Sequence, residues 1–400
     1  MLILLGIMSM NKINIVLDFN YLAHSEFSIF TGYSKNPVNP LGTKQKEIAF
    51  IQGLASKFFY AVNSLPKGGK VVVCIDSKSW RKSVFEDYKK SREDAAGNKQ
   101  MMDKDTKEKF YSLMSEFGAL LQSAGIIMSR VPGAEGDDLM YRWADYFYGN
   151  GESCVLITGD RDLNQSVQGI DPWVITWNNN SKYNRIYAPE GWKDTWLKNR
   201  PSTIFEFEMS SDKDDLSKLV RDNGISIERA DRDEVVMHKI LIGDDGDDVP
   251  AVWSFVTKNK KGEDKSVRVT EKKAEAIMNN LKDTYKLTDA TLMSKWDDPS
   301  FMEYLSGLIL RVIGDVDGTD ERRRVQENLK RNAQLVWLSD RTIPVNMITA
   351  MDEHITAMLQ TVEPVRKKWN RNGILQDSRF EMRSGIAAGI DPMMGMELPE

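Results

Sequence analysis

Three apolar runs that each end in an aspartate constrain the fold of this chain more than any other feature. The runs are INIVLD, VVVCID and CVLITGD, and they end at Asp18, Asp76 and Asp160. Nearly continuous β-branched runs are typical of strands buried on both faces of a parallel sheet. Helical patterns over residues 44–62 and 107–124 lie between them. This alternation predicts an α/β fold with a central, mostly parallel sheet flanked by helices.

The placement of these aspartates also predicts a site. Ligands of open α/β sheets bind beyond the carboxyl ends of the strands, so three strand-end aspartates are expected to face one crevice. One such aspartate alone is more often a turn or helix-capping residue. Further acids follow in AEGDDLM (134–140), TGDRDL and LIGDDGDDVP. The first of these segments looks like a helix start, and an acidic helix cap would explain one or two of its acids but not three.

The nine acids together favour a metal site. Nine carboxylates in one crevice would repel one another strongly unless cations were bound. Hard oxygen ligands without clustered His or Cys select Mg²⁺ or Mn²⁺, and a pair of such ions is a known arrangement for phosphodiester cleavage. The sequence therefore predicts two Mg²⁺ ions, for which Mn²⁺ can substitute. The predicted ligands are Asp18, Asp76, Glu135, Asp137, Asp138, Asp160, Asp162, Asp244 and Asp247.

A basic stretch over residues 78–109 points to nucleic acid. It holds ten Lys and Arg residues, with Phe85 and Tyr88 interleaved. Basic and aromatic residues together are typical of a platform for single-stranded nucleic acid, and a solvated charged helix is the alternative. The net charge of −5, from 54 basic and 59 acidic residues, argues against a nucleic-acid protein if taken alone. That argument weakens when many acids are committed to cations.

Six segments in order carry a family resemblance: VLDFN, VCIDSK, FEDYKKSRE, AEGDDLM, TGDRDLNQ and IGDDGDDVPAV. They resemble the 5′-nuclease superfamily of flap endonucleases and polymerase-associated 5′→3′ exonucleases, and most closely the RNase H of T-even bacteriophages. The resemblance covers residues 13–250. It implies a first metal ion near Asp18, Asp76, Glu135 and Asp137, a second near Asp160, Asp162, Asp244 and Asp247, and Asp138 between them. Gly136 stands where the family has Ala, and Asp248 where it usually has Asn.

The segment FEDYKKSRE resembles the base of the family's helical arch, which would span about residues 78–109. The resemblance implies that Tyr88 stacks on a base and that Lys89 and Arg92 act as catalytic groups neutralising the scissile phosphate. Arg81 would be a further phosphate contact. A basic insertion interrupts the family's glycine-rich helix–turn–helix, and residues 258–273 are expected to bind duplex DNA in its place.

The predicted organisation is a leader over residues 1–12, a catalytic domain over 13–250, a helical DNA-binding domain over 251–385 and a mobile tail over 386–400. The leader lacks the basic region of a signal peptide. A long connection over 166–235 receives no function. Cys74 and Cys154 lie in β-type runs and are expected to be reduced core residues of a cytosolic protein. No apolar stretch is long enough to span a bilayer.

These features predict a divalent-metal-dependent 5′→3′ exonuclease and 5′-flap endonuclease acting by two-metal-ion hydrolysis. It would act on RNA·DNA and DNA·DNA duplexes and remove primers in phage lagging-strand replication. A monomer in the (host) cytoplasm is expected, with a single-strand-binding protein or sliding clamp as further partners. One alternative is a haloacid-dehalogenase-type phosphatase, but that class needs Asp-x-Asp where this chain has Asp18-Phe19-Asn20. The other is a catalytically silent DNA-binding protein of the same fold, which would have lost acids that are retained here.

Overall fold

The computed structural model describes residues 13–30, 40–63, 69–92, 102–179, 184–192, 226–259 and 261–361. The predicted leader and tail, the tip of the predicted arch and much of the long connection lie outside the described residues. The chain divides into two compact units. The first comprises Met1–Lys78, Gln100–Arg229 and Asn346–Glu400, and the second comprises Ser79–Lys99 and Ala230–Val345.

A seven-stranded sheet forms the centre of the first unit, in the order β3-β2-β1-β4-β5-β6-β7. Every neighbouring pair is parallel except β5 and β6. This confirms the predicted mostly parallel sheet. The strands are β1 Ile13–Asp18, β2 Val71–Cys74, β3 Ile127–Ser129, β4 Ser153–Ile157, β5 Val174–Asn178, β6 Arg185–Ala188 and β7 Ser226–Arg229.

Helices flank the sheet and also build the second unit. Those described are α1 Phe19–Phe30, α2 Lys44–Asn63, α3 Lys104–Ser123, α4 Gly136–Gly149, α5 Arg232–Ile242, α6 Glu271–Tyr285, α7 Pro299–Ile313, α8 Thr319–Val336 and α9 Val345–Thr361. None of these is long and apolar enough to cross a membrane.

The core of the first unit packs helix side chains against the sheet. Phe50, Phe58, Phe110 and Phe117 are fully buried in one cluster with Leu17 of β1. Each such side chain contributes about 1.5–3 kcal/mol through removal of apolar surface from water. Cys74 and Cys154 are buried free thiols, as expected from their strand positions. This core fixes β1, β2 and β4 side by side.

The second unit has its own core, formed by α5 to α8 and a two-stranded hairpin. The hairpin pairs β8 Ser254–Lys258 with β9 Asp264–Arg268 in antiparallel register, with Phe255 opposite Val267. This hairpin lies at the position in the sequence where the family resemblance predicts a glycine-rich helix–turn–helix. Met237 and Ile240 of α5 are buried in this core, and the longer stretch of the unit starts at Ala230.

Candidate metal centre

The carboxyl ends of β1, β2 and β4 bring three of the predicted acids to one edge of the sheet. β1 lies between β2 and β4, with Asp18 opposite Cys74 and Leu17 opposite Ile157. Asp76 and Asp160 follow the two neighbouring strands within three residues of their ends. The strand register therefore places these acids together, as the sequence pattern predicted.

Asp18 is the most strongly perturbed of these acids. Its Oδ1 accepts the backbone N–H of Tyr21 at 2.9 Å, and its Oδ2 accepts the hydroxyl of Thr158 at 3.3 Å. Burial raises the pKa of Asp18 to about 7, helped by the negative charges of Asp76 and Asp160 and opposed by the two hydrogen bonds. A carboxylate crowded by like charges in this way is favoured to bind a cation, which would stabilise its ionised form.

Asp76 is held through both of its carboxylate oxygens. The side-chain amide of Asn20 donates to Oδ2, and the backbone N–H of Gly136 donates to Oδ1 at 2.5 Å. A Cβ at position 136 would lie 2.7 Å from Oδ1, so glycine lets α4 begin directly against this carboxylate. The family has Ala at this position, and in the present chain the missing methyl group accommodates the close approach.

Two of the three acids at the start of α4 also cap the helix. Glu135 and Asp138 form a reciprocal capping box, in which Asp138 accepts the N–H of Glu135 at 3.0 Å. Asp138 is 0% exposed and Glu135 is also buried. Asp137, between them, is half-buried, and its charge acts with those of Asp18 and Asp76 to raise the pKa of the Cys74 thiol beyond the effect of burial. The capping box gives Glu135 and Asp138 a structural role. Asp137 is more like the strand-end acids, because its charge also acts on the Cys74 thiol.

Asp160 and Asp162 begin a short 3₁₀ turn, Arg161–Ser166. The Asp160 carboxylate accepts the N–H of Asp162 at 2.8 Å, and the Asp160 N–H donates to the hydroxyl of Thr158 at 3.0 Å. Thr158 therefore contacts both Asp18 and the turn. Asp160 is exposed and Asp162 half-buried, so both carboxylates are placed at the surface of this edge.

The acids at this edge are of a donor type that suits a hard divalent cation. Asp18, Asp76, Asp137 and Asp160 supply carboxylate oxygens, the ligands that Mg²⁺ and Mn²⁺ prefer. Cys74 lies beside them, but burial raises the pKa of its thiol well above the usual value.

The remaining predicted acids, Asp244 and Asp247, lie in the second unit on a loop that is closed by its own backbone. Asp244 and Val249 exchange N–H···O bonds of 2.8 and 2.9 Å. Gly243 has φ of 76°, and a Cβ there would lie 2.2 Å from the Val249 carbonyl, so the turn needs glycine. The buried amide of Asn332 donates at 2.9 Å to the carbonyl groups of Ile240 and Pro250, on either side of the loop.

Both loop aspartates have cationic partners within the second unit. Asp244 pairs with Lys239 one turn earlier on α5, and although burial raises the pKa of Asp244, this pair outweighs it and holds the pKa below its usual value. Asp247 pairs with Arg92 and, at 3.7 Å, with Lys89. The structure therefore brings the two predicted catalytic cations to one carboxylate. The metal roles of Asp244 and Asp247 stay predictions.

Two predicted nucleic-acid contacts are buried. Arg81 is 2% exposed, donates from Nε to the Leu335 carbonyl at 2.8 Å and stacks over the Trp80 ring. Tyr88 is also 2% exposed, belongs to the second core and donates its hydroxyl to Asp247 at 3.1 Å. The structure gives Arg81 a packing role in place of a phosphate contact, and it leaves the Tyr88 ring without the open face that base stacking needs.

Sequence reasoning did not single out Asn20, Thr158 or Lys239, which position the acids. Asn20 follows Asp18 by two residues on the first turn of α1, and Thr158 directly follows β4. Both are polar residues at strand ends, the same signal that identified the aspartates. Lys239 lies five residues before Asp244, in the last turns of α5. A lysine facing an acidic loop is common enough that spacing alone does not distinguish it.

The chain is similar to several known proteins. Residues 14–196 match the family model of the 5′-3′ exonuclease N-terminal, resolvase-like domain. A 5′-3′ exonuclease of Buchnera aphidicola subsp. Schizaphis graminum is 23% identical over 155 residues, which is 38% of this chain and about half (48%) of that protein.

Solved structures of bacteriophage T5 proteins are also similar. A 5′-exonuclease with bound zinc is 15% identical, with a TM-score of 0.49, over 88% of this chain and 100% of that one. A flap endonuclease with DNA and metal ions is 15% identical, with a TM-score of 0.49, over 87% of this chain and 98% of that one. Residues 14–196 of this chain are therefore similar to the 5′-3′ exonuclease N-terminal, resolvase-like domain.

Proposed function

We propose that this protein is a divalent-metal-dependent 5′→3′ exonuclease and 5′-flap endonuclease. Its substrates would be RNA·DNA and DNA·DNA duplexes, and its role the removal of primers in phage lagging-strand replication. The observation that carries the proposal is the convergence of Asp18, Asp76, Asp137 and Asp160 in the first unit, where like charges and burial raise the pKa of Asp18 to about 7. Such a cluster is poised for divalent cations, and the matched family hydrolyses nucleic acid from 5′ ends.

The proposed cofactors are two Mg²⁺ ions, for which Mn²⁺ can substitute. Asp18, Asp76, Glu135 and Asp137 would hold the first, and Asp160, Asp162, Asp244 and Asp247 the second, with Asp138 between the two. Bound cations would offset the negative charge that builds up on a phosphodiester during hydrolysis. Asn20 and Gly136 orient Asp76, and Tyr21 and Thr158 orient Asp18, so the chain prepares these carboxylates before any substrate binds.

The proposed nucleic-acid contacts are Lys89 and Arg92, at the phosphate to be cleaved. The Arg92 side chain is 59% exposed and that of Lys89 is 22% exposed, so both are accessible to a ligand. The hairpin of β8 and β9 carries exposed Lys258 and Lys265, which would add affinity for the backbone of duplex DNA. A monomer in the cytoplasm, assisted by a single-strand-binding protein or clamp, completes the proposal.

The test uses the purified full chain with 5′-labelled primer–template and flap substrates. Release of short 5′ fragments in Mg²⁺ or Mn²⁺ is expected, with no release in EDTA. Asp137→Asn and Asp76→Asn should each lower the cleavage rate by at least about 100-fold, because each removes a proposed metal ligand. Full activity of Asp137→Asn would refute the site assignment. Tight flap binding without any cleavage would instead support a catalytically silent DNA-binding protein.

A further inference from the structure

The helical turn that begins at Lys90 has no N-cap acceptor of its own. Residues 90–92 are helical, and Lys89, which precedes them, has φ of 58°. The first N–H groups of a helix find no partner inside it, and a Ser, Thr, Asp or Asn side chain at the N-cap usually accepts one of them. A lysine side chain can only donate. An acceptor for this turn can therefore come from solvent or from another part of the chain.

The acidic loop of the second unit supplies that acceptor. The N–H of Ser91 donates to Oδ2 of Asp248 at 2.6 Å, and the N–H of Lys89 donates to the carbonyl of Asp247 at 2.9 Å. Asp248 thus occupies the place of an N-cap side chain although it is far away in sequence. Its negative charge also lies at the positive end of the helical turn, where an anion is stabilising.

The same loop holds the two cations that flank this turn. Arg92 donates from Nε to the Gly246 carbonyl at 2.9 Å and pairs with Asp247 through its terminal nitrogen. Lys89 Nζ lies 3.7 Å from Asp247 Oδ2. Lys89 and Arg92 are consequently fixed twice, by their side chains on Asp247 and by a backbone that Asp248 caps.

The loop is rigid enough to serve as such a support. Its backbone closes on itself between Asp244 and Val249, and Val249 is buried in the second core. Asp248 has φ of 58°, a left-handed conformation that Asp, Asn and Gly adopt at low cost. This conformation turns the Asp248 carboxylate out of the closed loop.

We propose that Asp248 is a positioning residue, which caps the helical turn at residues 90–92 and thereby places Lys89 and Arg92 for phosphate binding. The placement for phosphate rests on the proposed function, whereas the cap itself does not. Asn, the residue that the family usually has here, offers the same acceptor without the charge. The side chain at 248 therefore acts through the segment it caps and needs no metal contact.

Two variants distinguish the effect of the Asp248 side-chain acceptor from that of the loop backbone. Asp248→Gly removes the acceptor and keeps a residue suited to φ of 58°, so the loop should still fold. Asp248→Asn keeps an acceptor oxygen and also tolerates this conformation. Asp245→Asn is the matched control, since Asp245 lies on the same loop with its side chain 80% exposed and contacts Arg268 instead.

Amide hydrogen exchange in the full-length protein, without metal or DNA, tests the cap. Ser91 should exchange at least about fivefold faster in Asp248→Gly than in the unchanged protein, because its N–H loses its only acceptor from the loop. Asp248→Asn should restore most of the protection, and Asp245→Asn should leave it unaltered. Unchanged Ser91 protection in Asp248→Gly would overturn the proposal, whatever the enzyme cleaves.

Cleavage kinetics on a 5′-flap substrate test the positioning. Asp248→Gly should lower kcat/KM about 10-fold, and Asp248→Asn should recover most of that loss. In an Arg92→Met background the further loss from Asp248→Gly should shrink to about twofold or less, because contacts that act through one another are not additive. Fully additive losses would overturn the positioning role. If the protein without substitutions cleaved no flap substrate, the proposed nuclease function would be refuted. The hydrogen-exchange result would then test the cap by itself.

Discussion

Asn20 donates a hydrogen bond from its side-chain amide to the carboxylate of Asp76. Asn20 lies on the first turn of α1, directly after β1, and Asp76 follows the neighbouring strand β2. The bond therefore ties the exits of two adjacent strands together. Because the Gly136 N–H holds the other oxygen of Asp76, this carboxylate is oriented before a cation arrives, as groups that support metal ligands do.

Replacing Asn20 should weaken metal binding without disturbing the fold. Asn20→Leu keeps the size of the side chain and removes the donor, so Asp76 loses the amide that holds its Oδ2. The affinity for Mn²⁺ should fall about 10- to 100-fold, as is typical for the loss of such a support. Titration of free Mn²⁺ by electron paramagnetic resonance measures it. Asn150→Ala, on the exposed C-cap of α4, is the control, and equal affinities of all three proteins would contradict the role of Asn20.

The raised pKa of Asp18 should make the stability of the metal-free protein depend on pH. In the unfolded chain this carboxyl ionises near pH 3.8, and in the folded protein near pH 7. Its favourable contribution is therefore full below about pH 4 and is lost as the pH rises to about 7 and beyond. Asp18→Asn removes this loss and should raise the free energy of unfolding at pH 8 by up to about 4 kcal/mol, since each pH unit corresponds to about 1.4 kcal/mol.

Urea unfolding of the metal-free protein at pH 4.5, 6 and 8 checks this dependence. The gain from Asp18→Asn should grow with pH across the series. Asp283→Asn, which alters an exposed carboxylate on α6, should show no comparable trend. A gain that stayed constant from pH 4.5 to pH 8 would show that the Asp18 carboxyl titrates normally.

Substitutions of two neighbouring acids at the start of α4 should have different effects. Replacing Asp138 should lower stability, and replacing Asp137 should lower activity. Asp138→Ala removes half of the capping box at a fully buried position and should cost about 1–2 kcal/mol of stability, measured by urea unfolding. Asp137→Asn should cost little stability but abolish detectable cleavage in Mg²⁺. If Asp137→Asn destabilised the protein more than Asp138→Ala and retained activity, the two assignments would have to be exchanged.

Two arginines of the basic stretch should differ in the salt dependence of DNA binding. Arg92→Met removes an exposed cation, so the slope of log K against log salt concentration should become shallower by about 0.9 for each phosphate that the protein no longer neutralises. Arg81→Met leaves the Leu335 carbonyl without its buried donor and should instead lower the free energy of unfolding by about 1–3 kcal/mol. If Arg81→Met also made this slope shallower, Arg81 would contact a phosphate after all, as the sequence predicted.

The strands that sequence reasoning identified are the long, apolar ones. β1, β2 and β4 are nearly continuous apolar runs, and all their residues are buried or nearly so. β3 is only three residues long, and β6 alternates half-buried and buried residues because it lies near the edge of the sheet. Short or edge strands carry too few apolar residues for their pattern to stand out, so β3 and β5 to β7 emerged only from the structure.

For the site, the pattern of acids was visible in the sequence and their partners were not. Asp18, Asp76 and Asp160 stand out because each follows an apolar run. The burial of Tyr88 and Arg81 could not be predicted from the sequence, because a basic and aromatic segment has the same composition whether its rings face solvent or a core. Whether Asp248 binds a metal or caps Ser91 was equally undetermined, as 157 residues separate the two partners.

The sequence by itself determined that buried parallel strands would end in carboxylates at one edge of a sheet, because β-branched runs and strand-end aspartates are local features. The tertiary structure decided which groups hold those carboxylates. Asn20 meets Asp76 through the pairing of β1 with β2, and Thr158 meets Asp18 through the pairing of β1 with β4. Hydrogen bonds and burial of this kind arise between residues distant in the chain, so they form only when strand register and core packing bring those residues together.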